Sequence, residues 1–111
     1  MIDPADLQTA EAIKNTLLEA GAASIERIIL HGSRATGRAR PSSDFDILMV
    51  MRHEVDDWIA ESIRFSELFV DSARPVDIQV FGREEFEECR TVPATIAYPA
   101  DKYGLVLYAK H

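Results

Sequence analysis

The sequence predicts a small α/β domain with one core. Four apolar, β-rich runs punctuate it: Ile25–Leu30, Ser43–Met51, Val76–Phe81 and Leu105–Tyr108. Apolar residues at helical spacing fill the stretches before and between them. The chain has 111 residues and 47% hydrophobic content, enough for a single domain over residues 1–111 and too short for two.

The elements follow in order. Asp3-Pro4 reads as a helix cap with proline in the first turn. Leu7, Ala10, Ile13, Leu17 and Leu18 recur at helical spacing, and Gly21 is the stop. Ile28-Ile29-Leu30 closes the first strand at a Gly-Ser turn, and residues 43–51 form the second strand. Val55, Ile59 and Ile63, with Trp58, Phe65 and Phe69, predict a helix from about Val55 to Val70 whose aromatics belong to the core. Arg74-Pro75 breaks the chain before the third strand, Val76–Phe81. Glu84–Glu88 reads as a short acidic helix, and Thr91–Ala100 as helix limited by Pro93 and Pro99. Leu105–Tyr108 is the last strand. Tyr98, Tyr103 and Tyr108 read as buried tyrosines with satisfied hydroxyls.

Composition removes several function classes. The net charge is −7. Affinity for a nucleic-acid backbone comes from Lys and Arg, so a long DNA or RNA substrate is disfavoured. The one cysteine, Cys89, has no internal disulfide partner, which suits the reducing cytoplasm. The first ten residues carry neither a basic nor an apolar leader region, and no apolar run reaches membrane-spanning length.

The chemistry concentrates between Gly32 and Asp46. Asp44 and Asp46 share one face of a strand, because side chains alternate. Two carboxylates so close repel unless a cation lies between them. Hard oxygen ligands suit magnesium, which takes one or two carboxylates together with substrate phosphates and water. Gly32 lets the backbone approach a ligand closely, and amides in such a turn attract anions. The Ser33 hydroxyl can add a bond to a phosphate oxygen. Arg34, Arg38 and Arg40 form a local basic excess in an acidic chain, suited to polyphosphate. Asp77 lies opposite Val76, Ile78 and Val80 in strand alternation, and joins the pair if the third strand lies beside the second. Three carboxylates could hold two divalent ions for in-line attack at phosphorus. His31, just before the turn, reads as a packing histidine. Neither a Walker loop nor a dinucleotide fingerprint is present.

Gly32-Ser33, ten residues, Asp44-Phe45-Asp46, then a later strand aspartate: this pattern resembles the DNA polymerase beta-type nucleotidyltransferase superfamily, and the size resembles its minimal (MNT) branch. Ser43 matches the usual residue before the first aspartate. The resemblance implies a palm-like, small mixed sheet with helices packed largely on one face. It implies transfer of a nucleoside monophosphate, AMP from ATP, with release of pyrophosphate. Gly32 and Ser33 would hold the phosphates, with Arg34 and Ser43 beside them. Asp44, Asp46 and Asp77 would bind two Mg2+ ions, Asp77 also helping to deprotonate the acceptor. Minimal members pair with HEPN-domain toxins as antitoxins and can adenylylate a tyrosine of the toxin. Two other readings compete: an antitoxin that only masks its partner, and the catalytic subunit of an antibiotic-modifying enzyme. Three clustered carboxylates favour catalysis over masking.

Overall fold

A computed structural model describes residues 1–110. Helix α1 spans Pro4–Gly21. The Asp3 carboxylate accepts the Ala5 N–H at 2.7 Å, and Ala10, Ile13 and Leu17 form its buried stripe. A tight turn over Ala22–Ser24 leads into β1, Ile25–His31. The one-turn helix α2, Ser33–Thr36, ends where Gly37 takes a left-handed conformation. β2 covers Phe45–Met51, α3 Trp58–Ser66 and β3 Val76–Phe81. α4 spans Arg83–Cys89, α5 Ala97–Tyr103 and β4 Leu105–Ala109.

The four strands make one mixed sheet in the order β3-β2-β1-β4. β1 runs antiparallel to β2 and β4, while β2 and β3 are parallel. A parallel neighbour requires a crossover rather than a hairpin, and α3 lies in that connection. Strand alternation divides the core in two. Ile28, Leu30, Phe45, Ile47, Met49, Ile78 and Val80 pack with α1 and with Phe65 of α3 in the larger cluster. Ile29, Leu48 and Val50 face the other way, under Phe86 of α4 and Ala97 and Ala100 of α5. The short helices cover only part of that second face. Among the described residues, no helix is long and apolar enough to cross a membrane.

Four expectations change. The helix predicted from Val55 starts at Trp58, because the Asp57 carboxylate caps it by accepting the Ala60 N–H at 3.0 Å. Of its aromatics, Phe65 is buried and Phe69 packs against the core, but Trp58 is 49% exposed. Trp58 shares the phase of Phe65, yet it sits at the outer strand, beside Gln79 and Phe81, where no further strand continues the sheet. The segment 91–96 is turn rather than helix; Thr95 Oγ1 donates to the Cys89 carbonyl at 2.7 Å, and α5 begins only at Ala97. Pro99 falls in its first turn, where a missing N–H is tolerated. Tyr103 is 62% exposed, whereas the Tyr98 hydroxyl accepts from Lys102 at 3.3 Å.

Phe65 is the one fully buried residue of α3 and also packs near Gly21 at the end of α1. Phe65→Ala is expected to lower stability by about 3–5 kcal/mol, because the rigid sheet cannot collapse into the space. Urea denaturation of the variant measures this; a loss below about 1 kcal/mol would mean that α3 does not anchor the core.

Candidate active site

β1 delivers His31 to the sheet end, and the chain turns at Gly32 with φ 75° and ψ −158°. That backbone conformation strains any residue with a Cβ. Space makes the same demand, since a Cβ there would collide with Asp46 Oδ2. Gly32 thus lets the turn and a carboxylate occupy adjacent space. Ser33 opens α2, and its hydroxyl makes no hydrogen bond among the described residues. The first N–H groups of a helix have no intrahelical acceptor and favour an anion.

The carboxylates come from two strands and the loop before them. Asp46 lies opposite Asp77 on its parallel neighbour and opposite His31 on its antiparallel one. Asp77, Asp46 and His31 therefore form one row across three strands, on the face that continues into Leu48 and Val50. Asp44 precedes β2 by one residue and is exposed. Burial first, and then the charges of Asp77 and Asp44, push the Asp46 carboxyl above the usual carboxylate range. Burial lowers the His31 pKa despite the opposing pull of Asp77, and His31 Nε2 has no partner among the described residues. A neutral imidazole adds no charge to relieve the carboxylates.

Among the described residues, no three Asp, Glu, His or Cys side chains converge as a preformed metal cage. The donor set nevertheless fits magnesium. Its oxygens are hard, their mutual repulsion is uncompensated, and magnesium ordinarily relies on substrate phosphates and water for its remaining ligands.

Arg34 is not placed as expected for a phosphate ligand. Arg34 turns inward, its side chain 5% exposed. Its Nη1 bonds both carboxylate oxygens of Asp6, at 3.0 and 3.2 Å. Nε and Nη2 reach the Ser43 carbonyl at 3.2 and 2.8 Å, and Nη2 also reaches the Pro41 carbonyl at 3.2 Å. The guanidinium lies 4.6 Å from the centre of the Phe45 ring. All three guanidinium nitrogens donate within this framework, so the group is committed to the fold rather than held out for a ligand. The Ser43 hydroxyl accepts the Arg40 N–H at 2.9 Å within the loop. Arg38 and Arg40 are exposed and without ion pairs among the described residues, so they are the cations of this segment open to a ligand. Nothing in the sequence marks Asp6 as the partner of Arg34; it resembles an ordinary first-turn acid.

The nucleotidyltransferase domain model matches residues 10–100, a span that contains the Gly32 turn and all three aspartates. The chain belongs to the nucleotidyltransferase domain family. Solved structures agree on the fold. A chain from the crystal structure of a toxin–antitoxin with AMP-PNP superposes with TM-score 0.66 and 19% identity, over 91% of this chain and 74% of that one. A chain of the toxin–antitoxin MntA–HepT gives TM-score 0.59 and 17% identity, over 93% and 73%. No curated protein matches the chain significantly in sequence.

Asp46 ionises against a penalty in the folded state, so its contribution is least favourable above the folded pKa and vanishes below the unfolded one. Asp46→Asn should raise metal-free stability at neutral pH, by up to about 1 kcal/mol. The gain should disappear below about pH 4, where the wild-type carboxyl is also neutral. Thermal melts in chelator across that range check it, and a variant less stable at pH 7 contradicts the repulsion. Asp6→Ala leaves a buried guanidinium without its counter-ion and should lower stability by about 3 kcal/mol. Chemical denaturation measures the loss, and an unchanged midpoint would show that Arg34 does not need Asp6.

Proposed function

We propose that the chain is a magnesium-dependent nucleotidyltransferase that moves AMP from ATP to a hydroxyl acceptor, a tyrosine of a HEPN-type toxin, and so acts as an antitoxin in the cytoplasm. The observation that carries the reading is the register of Asp46 beside Asp77, next to a turn that only glycine can make. The AMP-PNP in one structural neighbour supports ATP, and the toxin–antitoxin setting of both supports the partner.

Each residue then has a distinct task. The Gly32–Ser33 backbone and the Ser33 hydroxyl bind the β- and γ-phosphates, with Arg38 and Arg40 adding charge. Arg34 ties the phosphate turn to the Ser43 carbonyl and so sets where Asp44 stands. Asp44, Asp46 and Asp77 would hold magnesium, which neutralises phosphate charge and lowers the pKa of a bound hydroxyl. Asp77 accepts the acceptor proton. The acceptor oxygen forms a bond to the α-phosphorus while the bond to the α–β bridging oxygen breaks. Pyrophosphate takes the electron pair and leaves.

Incubation with α-labelled ATP, magnesium and the product of an adjacent HEPN-type reading frame tests this reading. Label on a tyrosine of that product is the expected result; ATP bound but no label on the partner overturns the assigned acceptor.

Asp77→Asn separates binding from chemistry. Triphosphate affinity should stay nearly intact, because Asp44, Asp46 and the Gly32 turn remain. Single-turnover transfer should fall by at least ~100-fold, the low end of acid–base assistance. Full transfer by this variant would remove Asp77 from the reaction.

A further inference from the structure

The outer side of α3 and the edge of β3 carry a surface that the reaction does not use. Ile59 and Ile63 are 55% and 54% exposed, and Val70 stands past the turn that follows the helix, 75% exposed. Half-exposed Trp58 flanks them at the β3 edge. β3 is the last strand of the sheet, and its Val80 N–H is capped only by Ser62 Oγ, at 3.1 Å. Between α3 and β3 lies an open trough of about 560 Å³, lined by Ile59, Ile63 and Val70 on one side and by Asp77 and Gln79 on the other. Apolar surface gathered this way marks a partner site more often than a bare monomer face.

Three features identify the occupant. The trough is continuous with the candidate site, because Asp77 belongs to both. Gly32 and His31 lie on the β1 side of Asp46 and Asp77 on the β3 side, so a nucleotide held at the turn leaves the β3 side open to the acceptor. The trough is also long: it runs beside α3, whose Trp58–Ser66 span is roughly 12 Å at 1.5 Å per residue, and continues to Val70 beyond it. Small molecules are instead taken into concave pockets that bury most of their surface. Its charged lining residue apart from the metal-holding Asp77 is the acidic Glu67, and the nearby Arg64 is held by Glu61 at 2.8 Å. Free cations that could hold a nucleic acid are lacking along it.

We propose that this trough seats the acceptor chain: a partner polypeptide segment of apolar side chains flanked by Lys or Arg, which brings its hydroxyl to Asp77. The proposal rests on the nucleotidyltransferase reading above and adds where the acceptor polypeptide docks.

Trp58 is the sole tryptophan, so its emission reports on the trough directly. The probe is a Leu/Lys peptide of about 12 residues with one central tyrosine, long enough to span the trough. Its controls are the same peptide with Glu for Lys, and N-acetyl-tyrosine amide. With Mg·ATP present, the Leu/Lys peptide should shift Trp58 emission to the blue and take label from α-labelled ATP faster than either control. Ile63→Asp should weaken peptide binding at least about tenfold, a loss of 1.4 kcal/mol. Its melting temperature and Mg·ATP affinity should not change. Val106→Asp, on the opposite edge of the sheet, should leave binding unaltered. Equal binding of the Glu peptide, equal labelling of the free amide, or an Ile63→Asp variant that binds normally would overturn the proposal. Self-association that Ile63→Asp abolishes would overturn it too, by assigning the face to a second copy. Failure to bind Mg·ATP at all would instead sink the nucleotidyltransferase reading, whereas ATP binding without peptide binding sinks the trough alone.

Discussion

The Arg34 guanidinium joins three segments on which the site depends. It pairs with Asp6 near the start of α1, it belongs to α2 next to the phosphate turn, and it holds the Pro41 and Ser43 carbonyls of the loop that delivers Asp44. A buried cation is tolerable only when it is paired and hydrogen-bonded, and here a carboxylate and two carbonyls engage all three nitrogens. Lysine has three donors on a point charge and cannot reproduce that planar fork. The connection from β1 to β2 would otherwise be a long loop with few apolar anchors. Arg34, stacked on Phe45, gives it a defined course without a core of its own.

That rigidity supports an unfavourable arrangement. Asp46 and Asp77 are held side by side by the hydrogen bonding of two parallel strands, with Asp44 close enough to act on Asp46. A flexible loop would let the carboxylates separate and relieve their repulsion. The ladder prevents this, and so keeps a site that gains from a cation and a polyphosphate arriving together. Gly32 belongs to the same constraint: its missing side chain is the space that Asp46 Oδ2 approaches.

The opposite treatment of α3 has a comparable logic. One buried aromatic, Phe65, fastens the helix, and Ser62 caps a β3 amide. The rest of its apolar surface stays outward. An exposed edge strand is ordinarily protected by charge or cover. Here it is bordered by Trp58, Ile59 and Ile63, which suits a surface meant to be covered by another chain.

By itself the sequence determined the order of the four strands and the main helices, the alternation along the second strand, and the Gly-Ser turn ahead of it; the one-turn α2 and the place of Asp44 in the loop before β2 were not legible. The legible features are local: strand period, helix period and turn chemistry act over a few residues. The caps at Asp3 and the strand at Val76–Phe81 were legible for the same reason. Tertiary structure alone decided what depends on distant partners. Parallel pairing of β3 with β2 brought Asp77 beside Asp46, across a gap that no local pattern spans. The 28-residue separation of Asp6 and Arg34 hid an ion pair that turns a candidate phosphate ligand into an internal clamp. The end of the sheet at β3 left Trp58 half in solvent although its helical phase pointed inward. Residue identity states which groups can interact, but only the closed fold states which of them meet, because burial and pairing are properties of neighbours far along the chain.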